Sequence, residues 1–315
     1  MNNITNAQNP FYGQYHTPHE AVPFDRIETE HYEPAILEGI KLQNAEIEAI
    51  IQNPEKADFS NTIEAFEESG ELLDKVVAVF GNMLSAETND DLQELAQKIM
   101  PLLSEHSNNI TLNEKLFARV KEVYNQKETL QLTQEQKQLL ENAYNSFVRH
   151  GANLEGEARE EYRRLTNELS KLTLTFSENN LKETNAYQML LTKKESLAGL
   201  PEIIIEAAAE TAKSEEKEGW AFTLHAPSYV PFMTYSDNRD LRQKLYMAYN
   251  TKCTHDNEFN NIDIVKKIAN TRMKIAQLLG YKDYAEYTLK KRMAENSKSV
   301  YKLSLIHISE PTRRS

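Results

Sequence analysis

Cysteine is almost absent. Cys253 stands alone among 315 residues, so no internal disulfide, Cys-x-x-Cys metal knuckle or redox pair can form. Glycine and proline are also scarce, 9 and 10 in all, and so few tight turns argue against a many-stranded sandwich or barrel. Apolar residues make up 40% of the chain, yet no run approaches the roughly 18 residues that a membrane helix needs. No membrane role is expected. Met1-Asn2-Asn3-Ile4-Thr5-Asn6-Ala7-Gln8 has neither a basic nor an apolar signal region, so a cytoplasmic protein is expected.

Positive charge is missing where a nucleic-acid binder would need it. The formal charge is −12, and the first 100 residues hold 5 Lys or Arg against 19 Asp or Glu. Only the short Lys290-Lys291-Arg292 is locally basic, too little to displace counterions along a phosphate backbone. Nucleic acid and anionic membrane surfaces are set aside, and the acidic first third reads as solvated helix faces.

What is present is helical periodicity. Glu33-Pro34 predicts a helix start, with proline in the first turn where an N–H is spare. Ile36, Ile40, Ile47 and Ile51 then share a face up to Asn53-Pro54. A second helix is predicted from Asn61, with Glu64 as capping partner and Ile63, Phe66, Leu73, Val77, Phe80 and Leu84 as its apolar face. A third starts near Asn89, and Pro101 should break or kink it. Thr133 with Gln136 forms a capping box for a helix that runs to Arg149 before Gly151.

Tyr162, Leu165, Leu169, Leu172 and Phe176 are spaced 3, 4, 3, 4, the stripe of a long helix packed along a neighbour. Residues 187–192 and 220–224 read as two strands of a small sheet flanking a helix over 202–213. After a loop at Pro227-Ser228-Tyr229-Val230-Pro231, helices resume over 238–249, from Ile262 to Gly280, and over 283–293, with Asn296 as a further cap. The predicted class is mainly α with a minor β element.

Chemistry is harder to find. The chain has no H-E-x-x-H, no G-x-S-x-G, no phosphate-cradling G-x-x-x-x-G-K-[ST] and no G-x-G-x-x-G. His16, His19 and His31 are the nearest approach to a metal cluster, but a proline between the first two denies them helical i, i+4 geometry. His225 with Ser228 sits at a strand-to-loop junction, without an orienting acid at a recognisable spacing. Glu67-Glu68 and Glu160-Glu161 lie on exposed helix faces. Cys253, beside Lys252 and His255, invites a lowered thiol pKa, although an idle cysteine is the simpler reading.

Several segments, taken in order, resemble one family. Val22-Pro23-Phe24-Asp25-Arg26-Ile27-Glu28-Thr29-Glu30-His31-Tyr32-Glu33-Pro34-Ala35-Ile36 is similar to the amino-terminal signature of the thimet oligopeptidase-like zinc metallopeptidases. Asp58-Phe59-Ser60-Asn61-Thr62-Ile63-Glu64-Ala65, Phe147-Val148-Arg149-His150-Gly151-Ala152-Asn153-Leu154, Pro227-Ser228-Tyr229-Val230-Pro231-Phe232-Met233 and Leu278-Leu279-Gly280-Tyr281-Lys282-Asp283-Tyr284-Ala285 extend the likeness. Glu30-His31-Tyr32-Glu33-Pro34-Ala35-Ile36-Leu37-Glu38-Gly39 and Thr88-Asn89-Asp90-Asp91-Leu92-Gln93 look most like the bacterial peptidyl-dipeptidase branch.

The resemblance implies a helical, two-lobed enzyme that cuts short peptides with a zinc held by H-E-x-x-H and a later glutamate. All of those groups lie carboxyl-terminal to the matched region in the family. No catalytic residue and no metal ligand is therefore assigned here, and substrate-binding residues are unknown. The chain itself is expected to hold no zinc and to be inactive. Its parent is expected to take short peptides, as a monomer, without nucleic acid or membrane.

The resemblance divides the chain into an irregular segment at 1–32, an incomplete helical lobe at 33–303 and a foreign tail at 304–315. That tail, Ser304-Leu305-Ile306-His307-Ile308-Ser309-Glu310-Pro311-Thr312-Arg313, resembles one reading frame of a sequencing-library adapter. The competing reading is a stand-alone helical module that binds a partner helix or peptide. A Ser/His hydrolase around His225 and Ser228 ranks below both.

Overall fold

The structure, a computed structural model, describes residues 9–309, with side chains through Ser304. The opening octapeptide, with its lack of a signal region, and residues 310–315 of the adapter-like tail lie outside the described residues. Helices dominate, with a single antiparallel pair of strands among the described residues. None of the described helices is long and apolar enough to cross a membrane. Two compact units share the chain: Met1–Lys171 with Thr271–Ser315, and Leu172–Asn270.

The first unit is organised on α1, Thr29–Gln52. It starts four residues before the expected Glu33, and Pro34 lies inside it. The cap is a reciprocal one, in which the Glu28 N–H donates to Nδ1 of His31 at 2.9 Å. The extra turn carries Tyr32 into the core, 3% exposed, with ring centroids 5.3 Å from Phe11 and 5.2 Å from Phe80. Burying an aromatic ring offsets the donor that proline removes. The segment before α1 is tied down: Asn9 Nδ2 donates to the His31 carbonyl at 2.8 Å, and Lys75 Nζ donates to the Gly13 carbonyl at 2.7 Å.

The helix predicted from Asn61 is two pieces. Asp58 is its cap, accepting from the Asn61 N–H at 2.7 Å while Asn61 Oδ1 takes the Asp58 N–H at 3.0 Å. A wide turn over Phe59–Glu64 leads into α2, Ala65–Glu67, and Gly70 at φ 87° separates it from α3, Glu71–Ala86. The face of α3 shifts accordingly to Leu73, Val76, Val79 and Phe80. Asn89 caps α4, Asp90–Thr111, as expected, but α4 runs unbroken through Pro101, because Ile99, His106, Asn108 and Ile110 are all buried along it.

A helix the sequence pattern did not pick out, α5, Glu114–Asn125, packs on α6, Gln134–Arg149. Leu116, Phe117, Val120 and Val123 of α5 join Leu140, Ala143 and Phe147 of α6, and Ile47 and Ile50 of α1, in one core. The Thr133–Gln136 capping box is present. Of the 3, 4, 3, 4 stripe on α7, Gly156–Ala186, Tyr162 and Leu165 are buried with Leu112 and Ile275, whereas Phe176 is 37% exposed. Polar contacts run along the same helix: Asn108 Nδ2 donates to Thr166 Oγ1 at 2.9 Å, and Asn167 Nδ2 to Glu105 Oε2 at 2.6 Å.

In the second unit β1, Gln188–Leu191, pairs antiparallel with β2, Trp220–Thr223, so that Met189 faces Phe222. Between them lies α8, Glu202–Ser214. The loop expected at Pro227–Pro231 is instead α9, Ala226–Tyr235, with Pro227 in its first turn, where a missing N–H costs nothing. Phe222 and Phe232 meet edge to face at 4.6 Å, over a core completed by Leu200, Ala208, Leu224 and Leu245. Asn238 caps α10, Arg239–Asn250.

The chain then enters α11, Ile262–Leu278. Back in the first unit follow α12, Tyr284–Leu289, shorter than the predicted 283–293, and α13, Ser297–Ser309, capped by Asn296.

Helices α1 and α3 meet at Gly39, where an added Cβ would stand 2.9 Å from the Leu73 Cα. Gly39→Ala is expected to cost about 1–3 kcal/mol by overpacking. Gly81 lies in the same α3, and a methyl group added there would meet nothing within 4 Å, so Gly81→Ala should gain roughly 0.5–1 kcal/mol. Urea unfolding of the two variants checks the pair, and equal midpoints would contradict the close approach.

Candidate functional site

The histidines singled out in the sequence do not converge. His16 and His19 are exposed on a turn, with φ of 52° and 58°, and His31 spends its Nδ1 on the cap of α1. Among the described residues no group of three His, Cys, Asp or Glu could hold a metal ion. Glu67, Glu68 and Glu160 are exposed. Glu161 is paired with Arg164 at 2.7 Å, and that hydrogen bond holds its carboxyl below the usual range.

His225 is the residue before α9, and its side chain is exposed. The Ser228 hydroxyl turns back to the sheet and accepts the Thr223 N–H at 3.0 Å. The Ser228 N–H donates to the His225 carbonyl at 2.9 Å, but among the described hydrogen bonds none joins the imidazole to the hydroxyl. The serine is thus a clasp between α9 and β2, and the pair is not assembled for nucleophilic attack, which needs the base within hydrogen-bond reach of the hydroxyl.

The remaining cluster gathers around Cys253. This residue is 5% exposed and holds a left-handed φ of 57°. Its N–H donates to the Glu183 carboxylate near the end of α7, and its carbonyl accepts the Asn261 N–H at 2.8 Å. Burial, and then the hydrogen bond to Glu183, push the thiol up to about 11. That is opposite to the lowering that Lys252 and His255 suggest in the sequence. Lys252 turns away, donating to Thr184 Oγ1 at 3.0 Å and lying 4.5 Å over the Tyr249 ring. The His255 Nε2 sits 3.2 Å from Thr251 Oγ1 and 3.7 Å from Glu183.

Next to this turn is a hollow of about 490 Å³ within the second unit. Glu183 comes from α7, Tyr187 from the entry to β1, Leu224 from the exit of β2, and Lys244, Met247 and Ala248 from α10. Thr251 and His255 close its rim. Sequence reasoning reached only His255 of these. The others are scattered over residues 183–251, and no spacing rule links them.

A thiol near 11 carries about 100-fold less thiolate at neutral pH than an ordinary cysteine. Cys253 is therefore expected to react with a disulfide reagent at least that much more slowly in the folded chain than in urea. Equal rates would contradict its burial beside Glu183.

Against known proteins, residues 232–312 match the model of peptidase family M3. The chain is 35% identical over 290 residues to the dipeptidyl carboxypeptidase of Escherichia coli (strain K12), covering 92% of this chain and 43% of that protein. It is 32% identical over 292 residues to oligopeptidase A of Haemophilus influenzae, covering 91% and 43%. With the probable cytosolic oligopeptidase A of Arabidopsis thaliana it shares 28% identity over 305 residues, 94% of this chain and 42% of that one. The chain spans about 43% of the length of the first curated relatives it matches. The chain is thus similar to the M3 family model over residues 232–312, and over about nine tenths of its length to proteins named dipeptidyl carboxypeptidase and oligopeptidase A.

Proposed function

We propose that this chain forms a helical, non-catalytic part of a zinc-dependent peptidase acting on short peptides in the cytoplasm. The peptidyl-dipeptidase kind, which removes carboxyl-terminal dipeptides, is the reading we favour. The observation that carries it is the identity over 92% of the chain to a relative named dipeptidyl carboxypeptidase. The oligopeptidase A relatives of three bacteria stand slightly lower, at 30 to 32%.

A hydrolytic zinc needs three protein ligands and an open position where bound water becomes a nucleophile. The residues of this chain do not fit that ion. The sequence lacks H-E-x-x-H, the rings of His31, His106, His150 and His255 are engaged in hydrogen bonds, and His16, His19 and His225 are exposed and belong to no group of three metal-binding side chains among the described residues. In this proposal the metal ligands and the general base belong to the part of the parent enzyme that this chain does not span. The helices contribute walls that restrict access to short, flexible substrates, a steric role that needs no reactive side chain.

The purified chain is expected to bind no stoichiometric zinc by elemental analysis and to release no dipeptide from a short peptide. The full-length parent, recovered from the source DNA, is expected to release carboxyl-terminal dipeptides and to stop when a chelator is added. Zinc-dependent release by the isolated chain, or a parent inert toward short peptides, would overturn the proposal.

A further inference from the structure

The hollow beside α10 has the make-up of a small-molecule site that the peptidase reading does not use. Its volume of about 490 Å³ lies inside the roughly 300–1,000 Å³ of ordinary ligand pockets. Tyr187, Leu224, Met247 and Ala248 give it apolar walls, and two opposite charges, Glu183 and Lys244, stand on its lining. Those charges do not satisfy each other. Among the described residues the ion-pair neighbour of Glu183 is His255, at 3.7 Å, and no ion pair or hydrogen bond of Lys244 is found. Glu183 Oε2 takes the Cys253 N–H and the carboxylate also holds the Cys253 thiol, while Oε1 stands 3.7 Å from His255 Nε2.

The Glu183 side chain is just 13% exposed. A carboxylate so placed attracts a cation more strongly than one in bulk water. A purely structural Glu183, clasping the Cys253 turn, would need neither the apolar hollow nor the unpaired ammonium of Lys244 beside it. We infer that this hollow binds a small zwitterion with apolar side chains, of the size of a dipeptide. Its ammonium meets Glu183, its carboxylate meets Lys244, and its side chains lie on Tyr187, Leu224 and Met247. Dipeptides are what a peptidyl-dipeptidase releases, so the source of the ligand, though not the chemistry of the site, rests on the proposed function. The site then senses product.

The test is titration of the 315-residue chain with L-leucyl-L-leucine, read by calorimetry and ligand-observed NMR. Saturable binding of one equivalent is expected. The N-acetyl and carboxamide derivatives should each bind about tenfold or more weakly, the loss of one charge-assisted contact. Glycylglycine, with the same termini and no side chains, should bind equally poorly.

Lys244 is exposed, so Lys244→Met keeps the fold. It should weaken leucyl-leucine about tenfold while leaving the carboxamide unchanged. Ala248→Phe fills the hollow and should abolish binding at an unaltered helix content. No binding at about 10 mM, equal affinity for the blocked derivatives, or indifference to Lys244→Met would overturn the site. The two ideas fail separately. A parent that releases dipeptides from a chain that does not bind them overturns the site alone, whereas binding to a chain whose parent cuts nothing overturns only the peptidase reading.

Discussion

At Gly39 the backbones of α1 and α3 approach so closely that a methyl group would stand 2.9 Å from the Leu73 Cα. The approach fixes the register of the two helices, and the next turns of α1 exploit it. Gln43 reaches the Ser69 carbonyl at 3.3 Å, and Glu46 accepts the Gly70 N–H at 2.8 Å. Gly70 is left-handed there, with φ 87°, and has no room for a side chain, since an added Cβ would fall 2.3 Å from Gln43 Nε2. The same Gln43 meets His106 of α4 at 2.7 Å, and burial lowers the pKa of that imidazole. Helices α1 and α4 and the turn that leads into α3 are therefore keyed to one side chain, and its place depends on a position that carries none.

Helix caps were legible because they are local. Asn89, Thr133, Asn238, Asp283 and Asn296 each sit where a short side-chain acceptor meets an N–H three residues on. Prolines misled for the opposite reason. Pro34, Pro101 and Pro231 each remove one backbone donor, a local cost of about 3 kcal/mol or more in a helix interior, while the turns around them carry Tyr32, Ile99 and Phe232 into cores that a local pattern cannot see. The strand pair was legible from its apolar and aromatic runs. The break at Gly70 was not, since the apolar spacing runs across it as though the helix were continuous.

The hollow shows the limit more sharply. Its carboxylate, its ammonium and its apolar walls come from α7, β1, β2 and α10, so no motif could announce them. Cys253 and His255 were visible, but the sign of the thiol shift was not. Lys252 is next in sequence, yet its ammonium lies over Tyr249. Glu183, 70 residues away along the chain, bonds the cysteine instead. The near neighbour in sequence is thus electrically the weaker one.

Cys253 holds a left-handed backbone that costs a residue with a Cβ about 1–2 kcal/mol. The compensation comes from hydrogen bonds: the buried, protonated thiol and the Cys253 N–H both on Glu183, and the carbonyl under the Asn261 N–H, where hydrogen bonds to a charged group contribute about 1.5–3 kcal/mol. The strained turn and the carboxylate therefore stabilise each other. A carboxylate held in this way is already oriented before any ligand arrives, so binding need not order it. That saving is of the order of one immobilised side chain, about 0.5–1.5 kcal/mol, and it goes to the group on which the zwitterion's ammonium depends.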